Sequence, residues 1–213
     1  MNRGAMNFLD DIEDYFSMLK GAIDATDRKS IDTVIKLLQK AYEEERQVFI
    51  MGNGGSGSTA SHLACDFNKG LSYGKRKRFK VMSLNDNLPI LLAYANDVSY
   101  ENVFVEQLKN FFSPKDYVIG ISGSGKSGNV IKAIEYANQN GGITIGFCGY
   151  SGGKLKEIAQ YCVHVPIDDM QISEDLHMIL THLIMHVLDR QKALVRPSLR
   201  ILNRKIETHP VVT

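Results

Sequence analysis

Apolar positions recur at helical spacing near the start of the chain. Phe8, Leu9, Ile12, Tyr15, Phe16, Leu19 and Ile23 share one side of a helix over residues 6–27, and Ile31, Val34, Ile35, Leu38 and Ala41 repeat the pattern over 30–45. Asp27 or Ser30 is placed to cap the second helix. The period then changes. QVFIM (47–51) is a short continuous apolar run, read as a buried strand, and GNGGSGS follows it at once. A helix is predicted from Thr59 to about Asn68, and LSYGKRKRFKV returns through a polar loop to a strand over 79–84. Apolar residues within 88–95 and 100–112 predict two further helical segments. DYVIGI (116–121) reads as a strand, SGSGKS as a loop and 128–140 as a helix; GITIGFC and YCVHVPI read as the last two strands, and a long helix spans 171–190.

Strands alternating with helices through short loops indicate an α/β fold with a parallel sheet flanked by helices. In such sheets ligands sit beyond the carboxyl ends of the strands, which is where both glycine-rich loops fall. A length of 213 residues, 44% of them hydrophobic, fits one sizeable domain. The helical pair over 1–45 is read as part of that domain, with its body over 46–193. The basic, polar stretch over 194–213, with Pro197 and Pro210, is expected to be a mobile or partner-draped tail.

A net charge of +1 supplies no global attraction to nucleic acid. No apolar run approaches the roughly 18 residues of a membrane span, and the N-terminal MNRGAMNFLDDIEDYF is acidic rather than signal-like. Cys65, Cys148 and Cys162 are scattered, odd in number and free of C-x-x-C spacing, so reduced, buried thiols in a cytoplasmic protein are expected. GKRKRFK (74–80) lacks interleaved aromatics and reads as a solvated loop; neither nucleic acid nor membrane is expected as a partner.

The two loops admit three readings. GNGGSG (52–57) matches the dinucleotide pattern G-x-G-x-x-G, but the next strand ends near Asn85 and Asp86, roughly 30 residues beyond the glycines, whereas the acidic residue is expected about 20 on. Gly120, Gly125, Lys126 and Ser127 fill the P-loop pattern G-x-x-x-x-G-K-S, yet two strands precede it and no later strand ends cleanly in a magnesium-binding Asp. The third reading uses both loops. Ser56, Ser58 and Thr59 in the first and Ser122, Ser124 and Ser127 in the second add hydroxyls to the backbone amides of helix N-termini. Such groups suit a phosphate monoester, which needs several donors and no magnesium.

His62 and Asp66 stand four apart on the helix after the first loop, on one face, as metal ligands or as an ordinary polar pair. ISEDLHMILTHL places Glu174 and His182 roughly on one side of the long helix, with His177 facing elsewhere. By pattern alone these histidines are equally read as surface or core residues.

Four stretches together are more specific. FIMGNGGSGSTASHLACDF, AYANDVSYENVFVEQL, IGISGSGKSGNVIKAIEYA and PIDDMQISEDLHMILTHL, in this order and spacing, resemble the sugar isomerase (SIS) domain family, and within it the sedoheptulose-7-phosphate isomerases. The resemblance runs from about residue 8 to 190. It implies a single SIS domain, a three-layer flavodoxin-like or Rossmann-like sandwich whose N-terminal helices serve oligomerisation. It also implies an aldose–ketose isomerase opening heptose nucleotide-sugar biosynthesis, for lipopolysaccharide, capsule or a surface-layer glycan. By the same resemblance, Ser122, Gly123, Ser124 and Ser127 bind the phosphate. Asn53, Gly54, Gly55 and Ser56 approach the sugar, and Asp97 lies near the site. His62, Asp66, Glu174 and His182 bind zinc. Asp66 is then the base, His182 the opposing acid, and zinc aligns the sugar oxygens. The partners implied are a sugar phosphate and three further copies in a homotetramer with shared active sites.

Three positions depart from the family pattern. Asp66 stands where Glu is usual, Glu174 where Gln is usual, and Gly70 where an arginine is expected, with Lys69 beside it. The shorter base needs a backbone shift or a different substrate. The rival reading within the family is a non-catalytic protein that binds the replication initiator DnaA, whose members lack the metal constellation. A different sugar phosphate is the other alternative.

Overall fold

A computed structural model describes residues 8–195. The chain begins with α1 (Leu9–Ala25) and α2 (Arg28–Glu43), and Asp27 caps the second by accepting from the amides of Lys29 and Ser30. Then follow β1 (Gln47–Gly52), α3 (Gly54–Cys65), β2 (Lys80–Ser83), α4 (Leu88–Asp97), α5 (Val105–Phe111), β3 (Tyr117–Ser122) and α6 (Gly128–Gln139). After them come β4 (Ile143–Cys148), α7 (Gly153–Ile158), β5 (Tyr161–His164) and α8 (Met170–Val195). Most of the tail expected over 194–213 lies outside the described residues.

All five strands are parallel, in the order β2-β1-β3-β4-β5. The order reverses between β1 and β3, so a crevice opens at their carboxyl ends, where ligands bind in folds of this kind. Alternation along the strands divides the core in two. Val48, Ile50, Ile119, Ile121, Ile145 and Phe147 pack under α1, α2, α3 and α8. Phe49, Met51, Val118 and Cys148 face α5, α6 and α7 on the other side. The N-terminal helices therefore share the main core, and the Tyr15 hydroxyl ties α1 to α8 by donating to Asp175 at 2.6 Å.

Four expectations need correction. The helix after the first loop starts at Gly54, not near Thr59. Its glycines look like a loop by propensity, but Gly55 is small because the Glu174 carboxylate fills the space its β-carbon would take. The segment 100–112 is a short 3-10 turn, Tyr100–Asn102, followed by α5 rather than one helix. The loop after GITIGFC carries a further short helix, α7. Of the thiols, only Cys148 is buried; Cys162 is half-buried and Cys65 exposed.

The basic run 74–80 is stitched to the fold. Lys75 pairs with Asp189 at 3.7 Å, and Lys77 and Lys80 each reach Glu45 at 3.8 Å. No helix among the described residues is long and apolar enough to cross a membrane.

Candidate active site

The first loop leaves β1 at the crevice and enters α3. Asn53 is the N-cap residue of α3, yet its side chain makes no capping bond. Its amide pairs face to face with that of Asn129, at 2.9 and 2.8 Å, and its oxygen also accepts from the Tyr100 hydroxyl at 2.9 Å. The second loop behaves alike. Ser127 stands at the N-cap of α6 without capping it, and its hydroxyl lies 3.0 Å from that of Ser122. Neither N-cap side chain therefore caps its helix; in α6 the Val130 amide bonds instead to the side chain of Asn129, and the two helix starts lie side by side at the point where the strand order reverses. Uncapped amides at two helix N-termini favour an anion.

The serine loop is held by its neighbours. Gly125 has a left-handed backbone (φ +66), and the Gly152 carbonyl occupies the space a β-carbon there would need. Its carbonyl accepts from the Leu155 amide at 2.9 Å, in the first turn of α7. The Gly125-Lys126-Ser127 string that imitates a P-loop is explained here by loop-on-loop packing. Lys126 is exposed, and the Ser124 hydroxyl accepts from its backbone amide at 3.3 Å. Gly123 lies against Met170, and Ser122 is buried with its hydroxyl accepting from the Gly125 amide at 3.1 Å.

At the far end of α3, three side chains converge. Asp66 Oδ2 lies 3.4 Å from His62 Nε2 and 3.9 Å from His182 Nε2, and the two imidazole nitrogens are 2.8 Å apart. The chain is in a single turn of π-helix from Asp66 to Gly70, with the Leu71 amide donating to the Asp66 carbonyl at 2.9 Å. Asp66 Oδ2 is buried and has no hydrogen-bond partner. Two imidazoles and a desolvated carboxylate oxygen within 4.8 Å of one another form a group able to hold a metal ion. Ligands of a tetrahedral ion bound at about 2.0–2.1 Å stand about 3.3 Å apart, so the spacings fit after a small parting of the rings. Both histidines remain exposed, which leaves coordination positions open, as a catalytic rather than a structural ion requires.

Glu174 is outside this group. Its carboxylate lies against Gly55 at the other end of α3. Asp97 closes α4, exposed, and accepts from the Asn96 amide at 2.8 Å. At Gly70 the methyl group of Met185 fills the place of a side chain. His177 is fully buried beside Phe147, with ring centroids 6.0 Å apart, and takes no part in the site. Asn129 and Tyr100 were missed by the reading of the sequence. Both lie inside the quoted stretches, and the one signal for Asn129 was a polar residue standing just before the apolar positions of a helix.

The SIS domain family model matches residues 11–149, well over half of the chain. The chain belongs to the SIS domain family. It is 36% identical to a phosphoheptose isomerase of Helicobacter pylori (strain P12) over 159 residues, covering 75% of this chain and 82% of that one. It is 37% identical to a phosphoheptose isomerase of Thermodesulfovibrio yellowstonii over 161 residues, covering 75% and 79%. The structure of phosphoheptose isomerase GmhA from Neisseria gonorrhoeae superimposes with a TM-score of 0.79 over 86% of this chain and 100% of that one. At 22% identity that match speaks for the SIS fold.

Proposed function

We propose that this SIS protein is a phosphoheptose isomerase interconverting D-sedoheptulose 7-phosphate and D-glycero-D-manno-heptose 7-phosphate. The observation that carries the reading is the convergence of His62, Asp66 and His182 at the end of α3, in a chain over one-third identical to phosphoheptose isomerases. A non-catalytic DnaA-binding role leaves that convergence without a purpose.

The reaction moves a proton between the carbonyl carbon and its neighbour through a cis-enediol, which requires a base, an acid and a means of polarising the carbonyl. The phosphate takes the serine loop, with Ser122, Ser124 and Ser127 supplying hydroxyls and Gly123 backbone. The polyol lies across Asn53, Gly54, Gly55 and Ser56, toward Asp97. Asp66 removes the proton, with Oδ2 turned to the two histidines and the second carboxylate oxygen left to act as base. His182 serves the oxygen side as acid. His62, Asp66 and His182 would hold a divalent ion, and Glu174 would join them only by rotating away from Gly55. Imidazole and carboxylate donors suit zinc, which supplies Lewis-acid polarisation when bound.

The working molecule is a cytoplasmic homotetramer, with sugar phosphate as its small-molecule partner and neither nucleic acid nor membrane required. Three free thiols support the compartment. Ile179, His182, Leu183 and His186 form one exposed stripe at helical spacing on α8, so a copy covering the apolar pair also closes over the metal group. The product serves the heptose of lipopolysaccharide or capsule.

The test is NMR of the zinc-loaded protein with sedoheptulose 7-phosphate in deuterated water. Aldose signals, and deuterium entering the carbon that exchanges its proton, are expected. Neither signal, with zinc confirmed bound, excludes this substrate.

A further inference from the structure

Asparagine is favoured at an N-cap because its side-chain oxygen accepts from the amides of the second or third helical residue. Asn53 has the extended backbone of an N-cap (φ −109, ψ 150) but declines that bond. The reason lies in Asn129, 2% exposed at the start of α6. The backbone amide of Val130 donates to Asn129 Oδ1 at 2.9 Å, and a backbone N–H can only donate, so the orientation of the Asn129 amide is fixed. Its Nδ2 therefore faces Asn53 Oδ1, and its Oδ1 receives Asn53 Nδ2. The Tyr100 hydroxyl takes the second lone pair of Asn53 Oδ1. Asn53 is left with no free acceptor and one free N–H. The amides of Gly55 and Ser56 are left without the cap that Asn53 would otherwise provide.

We infer that Asn129 and Tyr100 are positioning residues that hold Asn53 off the end of α3, keep those amides open to substrate oxygens and present Asn53 to the sugar as a donor only. The inference rests on the sugar-phosphate reading of the crevice for its consequence, and on hydrogen-bond polarity alone for its geometry. A ketose or aldose oxygen, carrying lone pairs, is the complement of such a surface. A cap returned to α3 would compete with it.

Two measurements test this separately. In the zinc-loaded enzyme, Asn129→Ala is expected to raise KM for sedoheptulose 7-phosphate about tenfold, the scale of one good hydrogen bond, with kcat within about twofold. Tyr100→Phe is expected to act in the same direction and by less. Asn53→Ala should reproduce the loss, and adding Asn129→Ala to it should cost nothing more, because both act through one side chain. Additive losses in the double variant, or a fall in kcat alone, overturn the inference. The second measurement is a crystal structure of Asn129→Ala without substrate. Asn53 Oδ1 swung onto the amide of Gly55 or Ser56 is expected, and Asn53 unmoved overturns the inference whichever sugar phosphate the enzyme takes. If the alanine variant fails to fold, Asn129→Asp keeps the size and the Val130 bond while setting an acceptor against Asn53 Oδ1, and the same swing is expected. Failure of turnover in the parent enzyme would reject the substrate and leave the crystallographic result to decide the geometry.

Discussion

His177 and His182 sit five residues apart on α8 and lead opposite lives. His182 is exposed and faces Asp66, whereas His177 is sealed under β4 and neither ring nitrogen finds a well-oriented partner. Burial pushes the His177 pKa down to about 4, against a weaker upward pull from the Cys148 backbone. A histidine whose pKa is lower folded than unfolded stabilises the protein above its unfolded value of about 6.5 and loses that contribution as pH falls toward the folded value. Urea unfolding should therefore show about 1 kcal/mol lost between about pH 7.5 and about pH 5.5 on this account. His177→Met should flatten that part of the slope, and an unchanged slope would assign it elsewhere. His182→Ala should leave the fold intact while weakening zinc binding at least about tenfold and abolishing turnover; titration calorimetry and the isomerisation assay read the two. The spacing of His62 and Asp66 was legible because four residues make one helical face. The placement of Glu174 against Gly55 was not, because it depends on where α3 and α8 meet rather than on either helix alone.

Among the elements, the two glycine loops were legible as ligand loops, and their division of labour was not. A P-loop pattern records spacing, and spacing does not say whether a glycine serves a phosphate or a neighbouring loop. Gly125 answers to Gly152, one strand further along the chain, because β3 and β4 are adjacent and their loops pack at the same sheet edge. Gly125→Ala should therefore be costly twice over, through the left-handed backbone and through collision with the Gly152 carbonyl. A loss of about 2 kcal/mol or more is expected, read as a fall in Tm of several degrees. Lys126→Ala should leave turnover within about twofold, whereas a true P-loop lysine would be indispensable. The three central strands, apolar runs with buried faces on both sides, are legible to within a residue of their ends, whereas the edge strand β5 stops at His164, three residues short of the run that predicts it. The helix beginning at Gly54 starts earlier than propensity predicts, since residue propensity cannot register that the Glu174 carboxylate of α8 rests on the bare backbone of Gly55.

At the scale of the whole molecule, two apolar surfaces lie on opposite layers of the sandwich. Phe8, Leu9, Ile12 and Phe16 are exposed along α1, whose other side packs with α8 on the first core. Leu88 and Leu92 of α4 and Val98 just beyond it are exposed in the other layer, and α4 has no buried residue at all. The N-terminal periodicity predicted the first surface; the second was hidden, because a mostly apolar helix in sequence reads as core. The proposed tetramer would need two such patches, one for each two-fold contact of a dimer of dimers. Light scattering at micromolar concentration should give four copies. Ile12→Glu should sever the contact through α1 and Leu92→Glu the contact through α4, each leaving a dimer, and the double variant a monomer. The Ile12→Glu dimer should be the less active, because Tyr15 of α1 meets Asp175, one turn before Ile179 on α8, so a copy seated on α1 is the one placed to cover Ile179 and Leu183 and lie over His182. A monomeric parent protein, or two dimers of equal activity, would remove the case for shared active sites.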